Sequence, residues 1–169
     1  TIEGIEIETR INITDQFSIQ GSLGYTDAGF DEFLGFDADG VRGYDPVTDP
    51  AAAAALKFER VPELTYNIMA NYFQPLSNGA EIDFRLAYSY TDDFTNDALG
   101  TRAIITDSYG LLDASVSYTF AGSGLKLTVF GKNITDEDYH DFALDNALTS
   151  LTWGGVPDTY GLRLTYSFE

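Results

Sequence analysis

Residues Tyr160-Gly161-Leu162-Arg163-Leu164-Thr165-Tyr166-Ser167-Phe168 decide the fold. Large apolar side chains stand at every second position. Successive side chains of a β-strand point to opposite faces, so Tyr160, Leu162, Leu164, Tyr166 and Phe168 share one face and Gly161, Arg163, Thr165 and Ser167 the other. On a helix the same residues would scatter around the circumference.

The period repeats upstream. Leu125, Leu127 and Val129 alternate with Lys126 and Thr128, and Leu112, Ala114, Val116, Tyr118 and Phe120 with Asp113, Ser115, Ser117 and Thr119. Ile82, Phe84, Leu86, Tyr88 and Tyr90 alternate with Glu81, Asp83, Arg85, Ala87 and Ser89. Further back, Leu64, Tyr66, Ile68, Ala70 and Tyr72 form one such face, and Phe17, Ile19, Leu23 and Tyr25 another. Ile5, Ile7 and Ile11 stand against Glu6, Glu8 and Arg10. The pattern predicts about seven strands, each near the roughly 9–11 residues that a tilted membrane-crossing strand needs.

The connections alternate in length. Asn12 to Gln16, Pro75 to Gly79 and Ala121 to Gly124 read as tight turns, the last with Gly122 and Gly124 supplying turn conformations rather than a phosphate cradle. Residues 28–62, 92–108 and 134–157 read as long loops and hold most of the acid. Short turns on one side and long loops on the other mark an outer-membrane barrel. Aromatic residues sit near strand ends: Phe17, Tyr72, Phe73, Tyr118, Phe120, Tyr166 and Phe168 by the short turns, and Tyr25, Tyr66, Tyr90, Tyr109 and Tyr160 by the long loops. Two aromatic girdles around an aliphatic band suit a bilayer with two interfaces.

The fold expected is therefore all-β: an antiparallel meander of about seven long strands, an open curved segment of a transmembrane β-barrel. Seven is odd, and Ile2 to Ile11 runs in the same direction as Tyr160 to Phe168, so closure between them would be parallel. Both edges are expected to be free. A small complete barrel of eight strands with a structural or adhesive role is the alternative. A soluble ligand-binding β-barrel is the third reading, although it has no use for tyrosine rings at both ends of its aliphatic face.

Composition narrows the function. The 169 residues carry a formal net charge of −18, which disfavours nucleic acid as a partner. There is no cysteine, hence no disulfide, thiolate metal site or cysteine nucleophile. The longest simple apolar run, Ala51 to Leu56, is far short of a membrane-spanning helix.

Two segments carry a resemblance: Leu125-Lys-Leu-Thr-Val-Phe-Gly-Lys-Asn-Ile-Thr-Asp-Glu-Asp-Tyr139 and Gly155-Val-Pro-Asp-Thr-Tyr-Gly-Leu-Arg-Leu-Thr-Tyr-Ser-Phe168. They resemble the closing strands of the TonB-dependent receptor family, and Gly4-Ile5-Glu6, Gly21 to Asp27 and Pro62 look like earlier pieces of the same barrel. Two departures stand out. Asp158 occupies a position where the family commonly has Arg, and Phe168 is followed by Glu169 where a terminal aromatic is usual.

The resemblance implies that residues 1–169 are the C-terminal segment of an outer-membrane barrel of about 22 strands, with the plug domain and earlier strands absent. It implies energy-coupled uptake of a scarce nutrient, such as a ferric siderophore, in a Gram-negative outer membrane. The partners it implies are outer-membrane lipid and lipopolysaccharide, the receptor's own plug, TonB through the missing N-terminal region, the barrel-assembly machinery through the last strand, and a small-molecule substrate. No enzyme activity and no cofactor are expected.

Substrate contact, where it falls in this chain, is expected at Phe94, Tyr139, His140 and Trp153. His140, the only histidine, lies between Asp138 and Asp141, but no serine is marked out by a nucleophile elbow, so a solvated loop residue is expected rather than a catalytic one. Asp37-Ala-Asp39-Gly40 begins like a calcium loop but Val41 follows directly, so the pattern fails and no metal site is expected. Glu6, Glu8, Arg10, Asp83, Arg85, Asp113, Lys126, Lys132 and Arg163 are expected on the lumen wall, against a plug or water.

Overall fold

Alternation becomes structure in seven long strands, most of them rich in β-branched and aromatic residues that fit a pleated sheet. The computed structural model describes residues 1–30, 33–36, 42–44, 56–96, 105–145 and 149–168. The long strands are β1 (Ile2–Asn12), β2 (Phe17–Ala28), β5 (Leu64–Pro75), β6 (Glu81–Thr91), β9 (Tyr109–Thr119), β10 (Leu125–Lys132) and β13 (Thr159–Tyr166). The loops carry the short strands β3 (Phe33–Phe36), β4 (Arg42–Tyr44), β7 (Phe94–Thr95), β8 (Ile105–Thr106), β11 (His140–Asp145) and β12 (Ser150–Gly154).

The seven long strands form one sheet in chain order, β1-β2-β5-β6-β9-β10-β13, and every pair is antiparallel. β1 and β13 are the two edges and do not pair with each other. The sheet is thus open, as the strand parity requires, and the eight-stranded closed barrel is not formed. The tight turns lie at residues 13–16, 76–80 and 120–124. Gly79, Gly122 and Gly124 adopt positive φ there (83°, 62° and 63°), where a Cβ would be strained.

Register carries one face through the whole sheet. Ile7 pairs with Leu23, Leu23 with Tyr66, and Tyr66 with Tyr90. Further along, Leu86 pairs with Ala114, Val116 with Val129, and Val129 with Leu162. This aliphatic face is bare: Leu86 is 48% exposed and Leu164 68%. An apolar face this wide needs an apolar surrounding, which lipid supplies and water does not. The opposite face is concave, and polar residues of all seven strands line one trough on it.

Three features depart from the sequence-based expectation. Each long loop contains a short hairpin, β3–β4, β7–β8 and β11–β12, where the sequence was read only as loop. Phe73 pairs with Asp83 and Tyr109 with Thr91, so both rings sit on the polar parity rather than in the outer girdles. Strand alternation sets the face, and there Tyr109 stacks on Tyr139 with centroids 4.2 Å apart. The remaining girdle holds at the long-loop end, where Tyr66 stacks on Tyr90 at 5.0 Å.

Candidate functional site

Two regions can meet a ligand: the concave wall and the loop cluster above it. On the wall, Arg10, Asn71, Asp83, Arg85, Ser115, Ser117, Lys126, Thr128, Arg163 and Thr165 line a trough of about 680 Å³. Lys126 reaches across β9 to Asp83, with Nζ 3.2 Å from Oδ2. Both side chains are about 40% exposed, so the pair orients Lys126 more than it stabilises the sheet. Ser117 and Thr128 share a hydroxyl–hydroxyl hydrogen bond of 2.8 Å between neighbouring strands. A Cβ at Gly161 would stand 2.5 Å from Cζ of Phe130, so the Phe130 ring occupies the space that a side chain there would need. The Arg163 guanidinium stands 5.5 Å from that ring's centroid, a cation–π placement that steadies it over the trough.

At the long-loop end, the buried residues Leu56, Phe94, Thr95, Thr106 and Ala143 gather three loops into one cluster, and β8 packs on β11. Arg60, at φ 58°, ties them together. Its backbone N–H donates to the Thr95 carbonyl at 2.8 Å and its guanidinium to the Asp141 carbonyl at 3.2 Å. The same guanidinium lies 5.6 Å from the Phe142 ring centroid.

Asn133 holds the third loop where it leaves the sheet. It is 3% exposed and adopts φ 48°. Its backbone N–H donates to Asp113 Oδ1 at 2.9 Å, and its side-chain amide donates to the carbonyls of Glu137 (2.9 Å) and Val156 (3.2 Å). Its side-chain oxygen accepts from the Glu137 N–H at 2.9 Å. In the sequence Asn133 stood only as one residue of the Leu125 to Tyr139 stretch that carries the resemblance. The signal available was an Asn at a strand end, a residue type that tolerates the left-handed conformation.

The expected contact residues separate. Tyr139 is half-buried against Tyr109, and its hydroxyl accepts the Val156 N–H at 3.2 Å. His140 is exposed and opens β11, opposite Gly154. Trp153 is 51% exposed, and its ring lies 5.2 Å from that of Phe142 on the same hairpin. Phe94 is 8% exposed, a supporting ring within the cluster. The fold brings Tyr139, His140 and Trp153 to one hairpin and leaves Phe94 on the neighbouring one. The Asp37 to Gly40 stretch lies outside the described residues. Among the described residues no cluster of His, Cys, Asp and Glu could hold a metal ion.

This arrangement has known counterparts. Three solved receptors share the fold. The ferric yersiniabactin uptake receptor FyuA from Yersinia pestis superposes with a TM-score of 0.75 at 17% identity over 99% of this chain and 23% of that one. The siderophore receptor PiuA from Acinetobacter baumannii gives 0.71 at 16% identity, over 96% of this chain and 21% of that one. The ferric-catecholate import receptor Fiu from E. coli K12 gives 0.68 at 20% identity, over 96% and 20%. The chain spans about a fifth of the length of these receptors. Among curated proteins no match was found. The family model described as "TonB dependent receptor-like, beta-barrel" matches residues 1–134, most of the chain. The family is one of receptor and transporter barrels, not of enzymes. The chain belongs to the TonB-dependent receptor-like β-barrel family.

Proposed function

We propose that residues 1–169 are the C-terminal segment of a larger outer-membrane receptor barrel that imports a scarce small solute, such as a ferric siderophore, in an energy-coupled cycle. The observation that carries this reading is the pairing of a bare aliphatic convex face with a polar concave face on one open sheet. Such a sheet is complete only when further strands continue both edges and lipid covers the outside. In this reading the loop end faces the cell exterior and lipopolysaccharide. Tyr139, His140 and Trp153 contact the solute, with Phe94 supporting them from below. A plug domain seated in the lumen couples to TonB, and β13 is the strand that the barrel-assembly machinery receives.

The test is uptake of radiolabelled iron chelates by cells with and without the complete gene, before and after a protonophore collapses the proton-motive force. Accumulation that needs both the gene and the proton-motive force is the expected result. Diffusive entry insensitive to the protonophore would refute energy coupling.

A further inference from the structure

The β1–β2, β5–β6 and β9–β10 seams of the sheet end in tight turns, and a tight turn fixes which residues face each other. The β2–β5, β6–β9 and β10–β13 seams are crossed by the long loops, so no turn fixes them. Face patterning fills only half of that gap. A slip of one residue would turn every apolar side chain of β13 inward, and patterning excludes it. A slip of two residues, about 7 Å along the strand, leaves Leu162 and Leu164 outside and Arg163 and Thr165 inside. Nothing in the alternation distinguishes it from the native register.

The β10–β13 seam holds a feature that does. Phe130 and Gly131 are consecutive on β10, and Tyr160 and Gly161 on β13. Phe130 pairs with Gly161, and Gly131 with Tyr160. On the concave face, a Cβ at Gly161 would stand 2.5 Å from Cζ of Phe130, so that ring fills the hollow over the glycine. On the convex face, a Cβ at Gly131 would stand 3.0 Å from Cδ1 and Cε1 of Tyr160 and 2.6 Å from Cγ2 of Ile134. Gly131 is buried beneath these groups. Each strand thus lays one ring over the other's glycine, and the two joints grip the seam from opposite faces. In a register shifted by two residues, Phe130 would face Thr159 or Arg163, and Tyr160 would face Val129 or Asn133. None of these leaves a hollow, because each carries a side chain where the ring must lie. The β6–β9 seam, also without a turn, has one joint of this kind, the Tyr88 ring over Gly110.

We propose that Phe130–Gly161 and Gly131–Tyr160 form a two-sided register lock, which selects one alignment of β13 on β10 where the long third loop permits several. The native alignment gives both rings a flat floor of backbone, and the two-residue slips give them side chains to collide with. The Arg163 guanidinium, 5.5 Å from the Phe130 ring centroid, adds a cation–π contact to the inner joint. The lock sits at the loop end of the seam, two residues before Asn133 on the chain. The alignment it selects therefore also sets where both legs of the third loop leave the sheet, the legs that Asn133 joins through Val156. The proposal concerns how the strand is seated, and it stands apart from the importer reading.

The test reads register by disulfide cross-linking in the full-length receptor after its insertion into the outer membrane, with copper–phenanthroline as oxidant. Lys126 pairs with Thr165, so Lys126→Cys with Thr165→Cys reports the native register. Lys126→Cys with Ser167→Cys, or with Arg163→Cys, reports a two-residue slip in either direction. Directly opposed residues lie about 4.5–5.5 Å apart at Cα, within disulfide reach, whereas residues two positions off stand about 7–8 Å apart. In the ring-loss receptor, Phe130→Gly with Tyr160→Ala, slipped cross-links are expected to rise several-fold. Tyr166→Ala removes an aromatic of the same seam that pairs with Leu125 rather than a glycine, and is expected to leave them unchanged. Adding Gly161→Phe to the ring-loss receptor puts a ring of β13 over the glycine now on β10, and is expected to bring slipped cross-links back down. Native cross-links alone in the ring-loss receptor would overturn the proposal in favour of register set by the loop. Equal slipping in Tyr166→Ala, or slipping undiminished by Gly161→Phe, would overturn it in favour of a general weakening of the last strand. If the ring-loss receptor does not insert, insertion regained on adding Gly161→Phe supports the lock, and continued failure overturns it.

Discussion

The side-chain amide of Asn133 donates to the Val156 carbonyl oxygen at 3.2 Å, joining the two legs of the third long loop across 23 residues. The same buried amide holds both the N–H and the C=O of Glu137. Asn133→Ala loses these three hydrogen bonds and puts an alanine at φ 48°. A destabilisation of about 2–4 kcal/mol is expected from stranded polar groups plus a left-handed alanine. Asn133→Gly relieves the backbone and is expected to cost less. Urea unfolding of the complete barrel in lipid vesicles measures the difference, and equal losses would show that the left-handed backbone contributes nothing, whereas a negligible loss in Asn133→Gly would show that the amide contributes nothing.

Facing is tested by a neighbouring pair on β6. Leu86 is 48% exposed on the convex face, while Ala87 pairs with Asp113 on the concave one. Leu86→Arg is expected to cost about 2–4 kcal/mol near the bilayer midplane. Ala87→Arg is expected to cost much less where water fills the lumen. The same unfolding titration reads both; a larger loss for Ala87→Arg would mean that the faces are reversed, and similar losses that the facing assignment fails or a packed plug occupies the Ala87 position.

Sidedness follows from the turns. Ser123 lies in the short turn between β9 and β10, and Ser150 opens β12 in the third long loop. A cysteine at Ser150 should react with a membrane-impermeant maleimide on intact cells, and one at Ser123 only after the outer membrane is opened. Labelling at Ser123 alone would invert the topology.

The Lys126–Asp83 pair provides a check on magnitude. At 3.2 Å, with both side chains about 40% exposed, it is a solvent-screened bridge. Lys126→Gln is expected to change barrel stability by less than about 1 kcal/mol, an effect shrinking further in high salt. A loss well above that range would mean the lumen around the pair is dry.

The sequence by itself determined the strands, their order and the two faces. Side-chain direction in a strand depends only on position parity, so Leu162 and Arg163 are assigned to opposite faces with no knowledge of their neighbours. It also determined that β1 and β13 remain open edges, because the parity of seven antiparallel strands forbids their antiparallel closure. Tertiary structure alone decided what depends on register and on loop return. Phe73 and Tyr109 are the exception that parity already settles: closeness to strand ends suggested girdle rings, but their parity, opposite to Tyr72 and Leu112, puts them on the polar face, where they pair with Asp83 and Thr91. The grouping of Tyr139, His140 and Trp153 needed the β11–β12 hairpin, which brings residues 13 positions apart, such as His140 and Trp153, onto one short element. Arg85 and Arg163 are 78 residues apart in the chain, and only the β6–β9–β10–β13 register lets both line one hollow of the wall. Parity is a local property of the chain, whereas register is fixed by hydrogen bonds between strands that meet only when the sheet has formed.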